Sequence, residues 1–91
     1  MPKSELVQTK TRLISHLKNS TSNKWKFNHK ANATWFCIFI FTPNGRRALA
    51  SISYDKNSHF LLLHFIRATE DQKKVIEESL ASFDIPHYLQ N

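Results

Sequence analysis

The sequence predicts an α+β domain: a helix, an antiparallel β-meander and a second helix. Three observations carry this. Residues 35–41, WFCIFIF, are seven apolar residues in a row. They run into Thr42-Pro43-Asn44-Gly45, where proline at the second turn position, followed by asparagine and glycine, marks a tight reversal. Stretches with apolar residues at helical spacing stand on either side of the strands.

Taken in order, Ser4 is placed to cap a first helix, with Glu5 favourable to its dipole. Leu6, Leu13, Ile14 and Leu17 fall along one side of it. The helix should end in Asn19–Asn23, whose side chains compete for backbone hydrogen bonds. The expected meander is three-stranded, or four-stranded if KWKFNHK, residues 24–30, which alternates polar and aromatic residues at its start, adds a short edge strand. The long strand from Thr34 follows, then a return strand over 46–54. Asp55-Lys56-Asn57-Ser58 makes a second turn, and His59–Arg67 a third main strand. Thr69 with Gln72 three residues on is a capping box. It opens a helix with the stripe Val75, Ile76, Leu80 and Phe83, over by Pro86.

A strand with no polar face needs cover on both sides. Pairing Thr42 with Gly45 and Tyr54 with His59 sets Phe39 opposite Ala48, Cys37 opposite Ala50 and Trp35 opposite Ile52. The expected core face is then Trp35, Cys37, Phe39, Phe41, Ala48, Ala50, Ile52, Leu61, Leu63 and Phe65. Its alanines form a trough under two helices packed on that one face. The other face, with Phe36, Ile38, Ile40, Arg47, Leu49, Ser51, Ser53, Phe60, Leu62, His64 and Ile66, has too little chain left to cover it. An exposed apolar patch of that size marks a contact surface, so Phe36, Ile38, Leu49, Phe60, Leu62, His64 and Ile66 are the candidate protein interface.

Length and composition bound the class. The 91 residues form one domain, 1–91, able to build a modest core. One cysteine, Cys37, excludes an internal disulfide and fits a reducing compartment. No stretch resembles a secretory signal or approaches the roughly 18 apolar residues of a membrane span, so an intracellular, cytoplasmic protein without membrane association is expected. The formal charge of +6 is uneven. Residues 1–67 hold eleven Lys or Arg against Glu5 and Asp55; residues 68–91 hold Lys73 and Lys74 against five acids. An anionic partner would approach the body and avoid the last helix, although lysines also serve simply to keep a domain in solution.

Catalytic chemistry is thinly represented. The only glycine belongs to a turn, so no phosphate-cradling loop exists, and the five histidines lack metal-ligand spacing. His64 with Arg47 is the one pairing a small nuclease would use; the plainer reading makes His64 a half-buried interface residue. No enzyme activity, metal or cofactor is expected. Lys24, Trp25, Lys26 and Lys30 interleave cations with a ring, suited to phosphate contact and base stacking. Arg46, Arg47 and Arg67 gather at one end of the sheet, where guanidinium groups grip phosphate bidentately. Trp25 and Phe27 read equally as edge-strand core residues. The leading expectation is a small nucleic-acid-binding domain, for RNA or DNA. The rival is a protein-interaction module, a homodimer or a small inhibitor or adaptor, acting through the uncovered sheet face.

The predicted order of helix, three antiparallel strands and helix is similar to the double-stranded-RNA-binding domain and to the Alu-binding proteins of the signal recognition particle. The first resemblance implies phosphate contacts at the start of the last helix, where Thr69-Glu70-Asp71-Gln72 is acidic and Lys73 and Lys74 follow. The second implies binding through the open sheet face.

Overall fold

The computed structural model describes residues 3–55, 60–83 and 87–89. The elements are α1 (Lys3–Ser20), β1 (Lys26–Asn28), β2 (Phe36–Thr42), β3 (Gly45–Asp55), β4 (Phe60–Phe65), α2 (Glu70–Ser82) and β5 (His87–Leu89). The strands form one sheet in the order β1-β2-β3-β4-β5. β1 to β4 are antiparallel neighbours, as expected of a meander with KWKFNHK at its edge. β5 is an addition: it returns after α2 and pairs parallel to β4, Leu61 with His87 and Leu63 with Leu89. A parallel neighbour requires a crossover, and α2 supplies it. Residues 56–58 of the expected second turn, Pro86 and the Phe60 side chain lie outside the described residues.

Local signals set the element limits. α1 begins at Lys3, so Ser4 lies in its first turn instead of capping it. It ends inside Asn19–Asn23: Ser22 and Asn23 take φ of 53° and 61°, and the Asn23 amide donates to the Lys18 carbonyl at 2.8 Å. That left-handed closure satisfies a carbonyl the last turn would leave open. At the β2–β3 turn Gly45 has φ 125°, a conformation side-chain-bearing residues rarely adopt, which explains why the sole glycine stands there. α2 has its capping box: the Gln72 amide donates to Thr69 Oγ1 at 3.2 Å, and the Thr69 amide to Gln72 Oε1 at 2.9 Å.

One buried cluster joins Leu13, Ile14 and Leu17 of α1 and Ile76 and Leu80 of α2 to Phe36, Ile38, Ala50, Ile52, Leu61 and Leu63 of the sheet. The helices also meet directly, His16 edge-on to Phe83 with ring centroids 5.8 Å apart. Those sheet residues lie on one face by register: Phe36 pairs with Ile52, Ile38 with Ala50, and Ile52 with Leu63.

This face differs from the expected one on β2, and the cause is a β-bulge. Near the turn the hairpin pairs as expected, Thr42 with Gly45 and Phe39 with Ala48. The register then shifts between Ile38 and Phe39, and Leu49 becomes an extra residue on β3. Beyond it, Ile38 takes the place opposite Ala50 expected for Cys37, and Phe36 the place opposite Ile52 expected for Trp35. A one-residue slip exchanges a strand's faces. Phe36, Ile38 and Leu49, expected on an uncovered interface, are therefore buried, and Trp35, Phe39, Phe41 and Ala48, expected in the core, are not. Leu49 and Ala50 are both buried, as two adjacent residues can be at a bulge. Between β3 and β4 the pairing is displaced by two residues, Ile52 meeting Leu63 in place of Leu61, which preserves the faces.

Candidate nucleic-acid interface

The sheet face turned away from the core cluster carries Cys37, Phe39 and Phe41 on β2, Arg46, Ala48, Ser51 and Ser53 on β3, and Leu62 and His64 on β4, by the alternation and register of the ladder. None of these residues is buried. Phe41 is 65 % exposed, and Trp35, one residue before β2, is 41 % exposed. Ile66, just past β4, is 46 % exposed. Of the expected interface, Leu62, His64 and Ile66 remain accessible.

Aromatic and basic groups gather where β2 meets β1 and β3. The Arg46 guanidinium stands 5.2 Å from the centroid of the Phe39 ring. Phe39 and Phe41 meet edge to face, centroids 5.6 Å apart and planes at 89°. Lys26 pairs with Phe39 across the strands, is exposed, and donates from Nζ to the Asn23 carbonyl at 3.1 Å. β1 stops pairing at Lys26, while β2 continues to Thr42. The notch left beside the end of β2 opens into a cleft of about 440 Å³ lined by Lys18, Asn23, Trp25, Lys26, Phe27, Phe39 and Phe41. Among the described side chains on this face none is acidic.

The other expected phosphate-binding residues divide. Lys24 and Lys30 are exposed on either side of β1. Trp25 is only 7 % exposed and belongs to the core cluster, so it does not present a ring for stacking. Its neighbour Phe27 packs partly against that cluster, 6.1 Å from the Phe36 ring. Arg47 pairs with Ile40 on the helix side of the sheet, and its Nε is buried without a hydrogen-bond partner among the described residues. Arg46 and Arg47, adjacent on one strand, therefore point to opposite faces. Arg67 is exposed but stands past the end of β4, whose ladder closes with the Ile66 amide on the Leu49 carbonyl at 2.9 Å; it does not pair with Arg46. The expected cluster of three arginines thus resolves into Arg46 alone on the open face.

Lys10 is a basic residue that helical spacing did not single out. It is buried in α1, and its Nζ donates to the carbonyls of Lys30 and Ala31, tying the helix to the β1–β2 loop. Burial lowers its pKa from the usual lysine value. At the β4–β5 edge of the sheet a cleft of about 760 Å³ is lined by His64, Phe65, Leu89 and the α2 acids Glu70, Asp71 and Glu77 together with Lys73 and Lys74. Lys73 is occupied there, 3.3 Å from Glu70 and 5.4 Å from the Phe65 ring centroid.

Among the described residues no three His, Cys, Asp or Glu side chains assemble as a metal site, and no helix is long and apolar enough to cross a membrane. The chain matches no family model, no curated protein and no solved structure. Sequence reasoning missed Phe39, Phe41 and Trp35 as surface residues. The alternation of Trp35 to Phe41 carries no polarity difference to separate the two faces, and Leu49 beside Ala50 is compatible with a bulge without requiring one.

Proposed function

We propose that this protein is a nucleic-acid-binding module that meets its ligand with the open face of the sheet. Arg46 and Lys26 would engage phosphates, and Lys24 and Lys30 would extend the basic rim along β1. The observation that carries this reading is the Arg46–Phe39–Phe41 group beside Lys26, on a face with no acidic side chain among those described. The wider charge pattern supports it, since the net negative segment is residues 68–91 and the rest of the chain is strongly basic. A single cysteine is in keeping with a reducing, intracellular setting.

The test is a fluorescence-anisotropy titration of labelled nucleic acid over a salt series. Binding should weaken linearly in log affinity against log salt. Arg46→Ala and Lys26→Ala should each flatten that slope by about 0.7–0.9, the contribution of one phosphate contact. Lys73→Ala and Lys74→Ala should change it less, because acids of their own helix flank them. No binding at micromolar protein in dilute buffer would refute the proposal. The exposed Phe41, Ile66 and Trp35 would then favour a protein partner, most simply a second copy. In that case Leu62→Lys should lower the mass in solution while leaving helix content intact.

A further inference from the structure

We infer that the ligand is single-stranded, with one unpaired base stacked on Phe41 at the β1–β2 notch and the strand running along β2 toward Trp35. This rests on the nucleic-acid reading above and names its substrate class.

The Phe41 ring is the most exposed of the large apolar side chains on this face, and Phe39 buttresses it edge-on at 89°. Arg46 already stands over Phe39, so the pair has a division of labour. Phe39 holds the guanidinium in place for a phosphate, while Phe41 offers a ring to a base. Every base has a π-face, but within a duplex those faces are occupied by neighbouring base pairs. An exposed ring on a sheet therefore recognises a base only when the strand is unpaired.

The surroundings fit one strand. The notch exists because β1 is three residues long and leaves the last residues of β2 without a neighbour on that side. Its lining includes Lys18, whose ammonium stands 6.0 Å from the Phe27 ring centroid, and Lys26, which donates to the Asn23 carbonyl, so two cations are within the notch for the phosphates of a bound strand. Trp35 stands six residues from Phe41 along an extended chain, about 20 Å away. The two rings thus mark the ends of a platform several nucleotides long. In the other direction the cleft at α2 is less favourable to a phosphate backbone: Glu70, Asp71 and Glu77 outnumber Lys73 and Lys74 in its lining, and Lys73 is paired with Glu70.

The experiment compares a labelled oligothymidine of about 12 nucleotides, within the range of single-strand sites, with a duplex of the same length. The single strand should bind more tightly. Phe41→Ala should weaken it roughly 5- to 140-fold without altering the salt slope, and Phe41→Trp should restore binding. With Trp25→Phe in the background Trp35 is the only tryptophan, and its fluorescence should be quenched on addition of the oligonucleotide. Duplex binding equal to or tighter than single-strand binding would overturn the inference. So would an unchanged affinity in Phe41→Ala while Arg46→Ala still flattens the salt slope; that result would leave the phosphate-binding face intact and remove only the stacked base. Absence of binding to both probes would overturn the inference and the proposed function together.

Discussion

Ile38→Ala and Phe41→Ala truncate two residues of the same seven-residue apolar run, and the structure assigns them opposite consequences. Ile38 is 0 % exposed in the core cluster, and Phe41 is 65 % exposed on the open face. Truncating isoleucine to alanine removes three carbons from a fully buried site. At about 0.8 kcal/mol per methylene the transfer loss alone is about 2.4 kcal/mol. Incomplete collapse of the cavity raises the expected total to roughly 2–5 kcal/mol. A domain of this length holds roughly 5–14 kcal/mol, so the variant loses a large share of its stability. Phe41→Ala gives up mainly a preference for strand geometry and some cross-strand contact with Phe39, about 1 kcal/mol or less. Urea unfolding followed by far-ultraviolet circular dichroism reads both. The Ile38→Ala midpoint should fall by about 1 M or more at an unchanged slope, and the Phe41→Ala midpoint should hardly move. If Phe41→Ala is the more damaging variant, the bulge at Leu49 is wrongly assigned. The faces of β2 are then reversed, and the proposed interface disappears with them.

Lys10→Met should cost about 1.5–3 kcal/mol near neutral pH, since it takes the charged donor from the Lys30 and Ala31 carbonyls; chemical denaturation measures this. The wild-type lysine, its pKa lowered by burial, binds its proton less readily in the folded than in the unfolded chain. Its contribution to stability should therefore rise with pH from the lowered folded value up to about 10.5 and be flat above it, a dependence absent from Lys10→Met. Ser22→Gly should raise the unfolding midpoint by up to about 1 kcal/mol equivalent, because serine pays a steric cost at φ 53° that glycine does not. An unchanged or lower midpoint would show that Ser22 is held by contacts worth more than that strain.

Much of this fold is local and therefore legible in the residues. The capping box at Thr69 and Gln72, the end of α1 in Asn19–Asn23 and the reversal at Pro43–Gly45 each depend on neighbours in the chain, and each stands where the sequence places it. So do the helical stripes: Leu13, Leu17, Ile76 and Leu80 are buried as their spacing requires. On β3 and β4, Ala50, Ile52, Leu61 and Leu63 were assignable to the core, since their pairing slips by an even number of residues and an even slip keeps the face.

The sheet face of β2 was beyond the sequence alone. Alternation identifies a strand's inner side only when successive residues differ in polarity, and Trp35 through Phe41 do not. The faces are set by the bulge at Leu49, which is itself buried: Phe36 and Ile38 turn inward and Phe39 and Phe41 outward. Arg46 and Arg47, adjacent in sequence, were separated to opposite faces by the same pleat. β5 likewise has no periodic signal in three residues; it is a strand because β4 offers an edge to the chain returning from α2. Trp25 could serve as a stacking ring or a core side chain by its sequence pattern, and in the fold it joins the core cluster with Leu13, Ile14 and Leu17 of α1. Local chemistry thus determined the elements, and the competition between burial and backbone pairing in the assembled sheet decided which aromatic rings meet solvent.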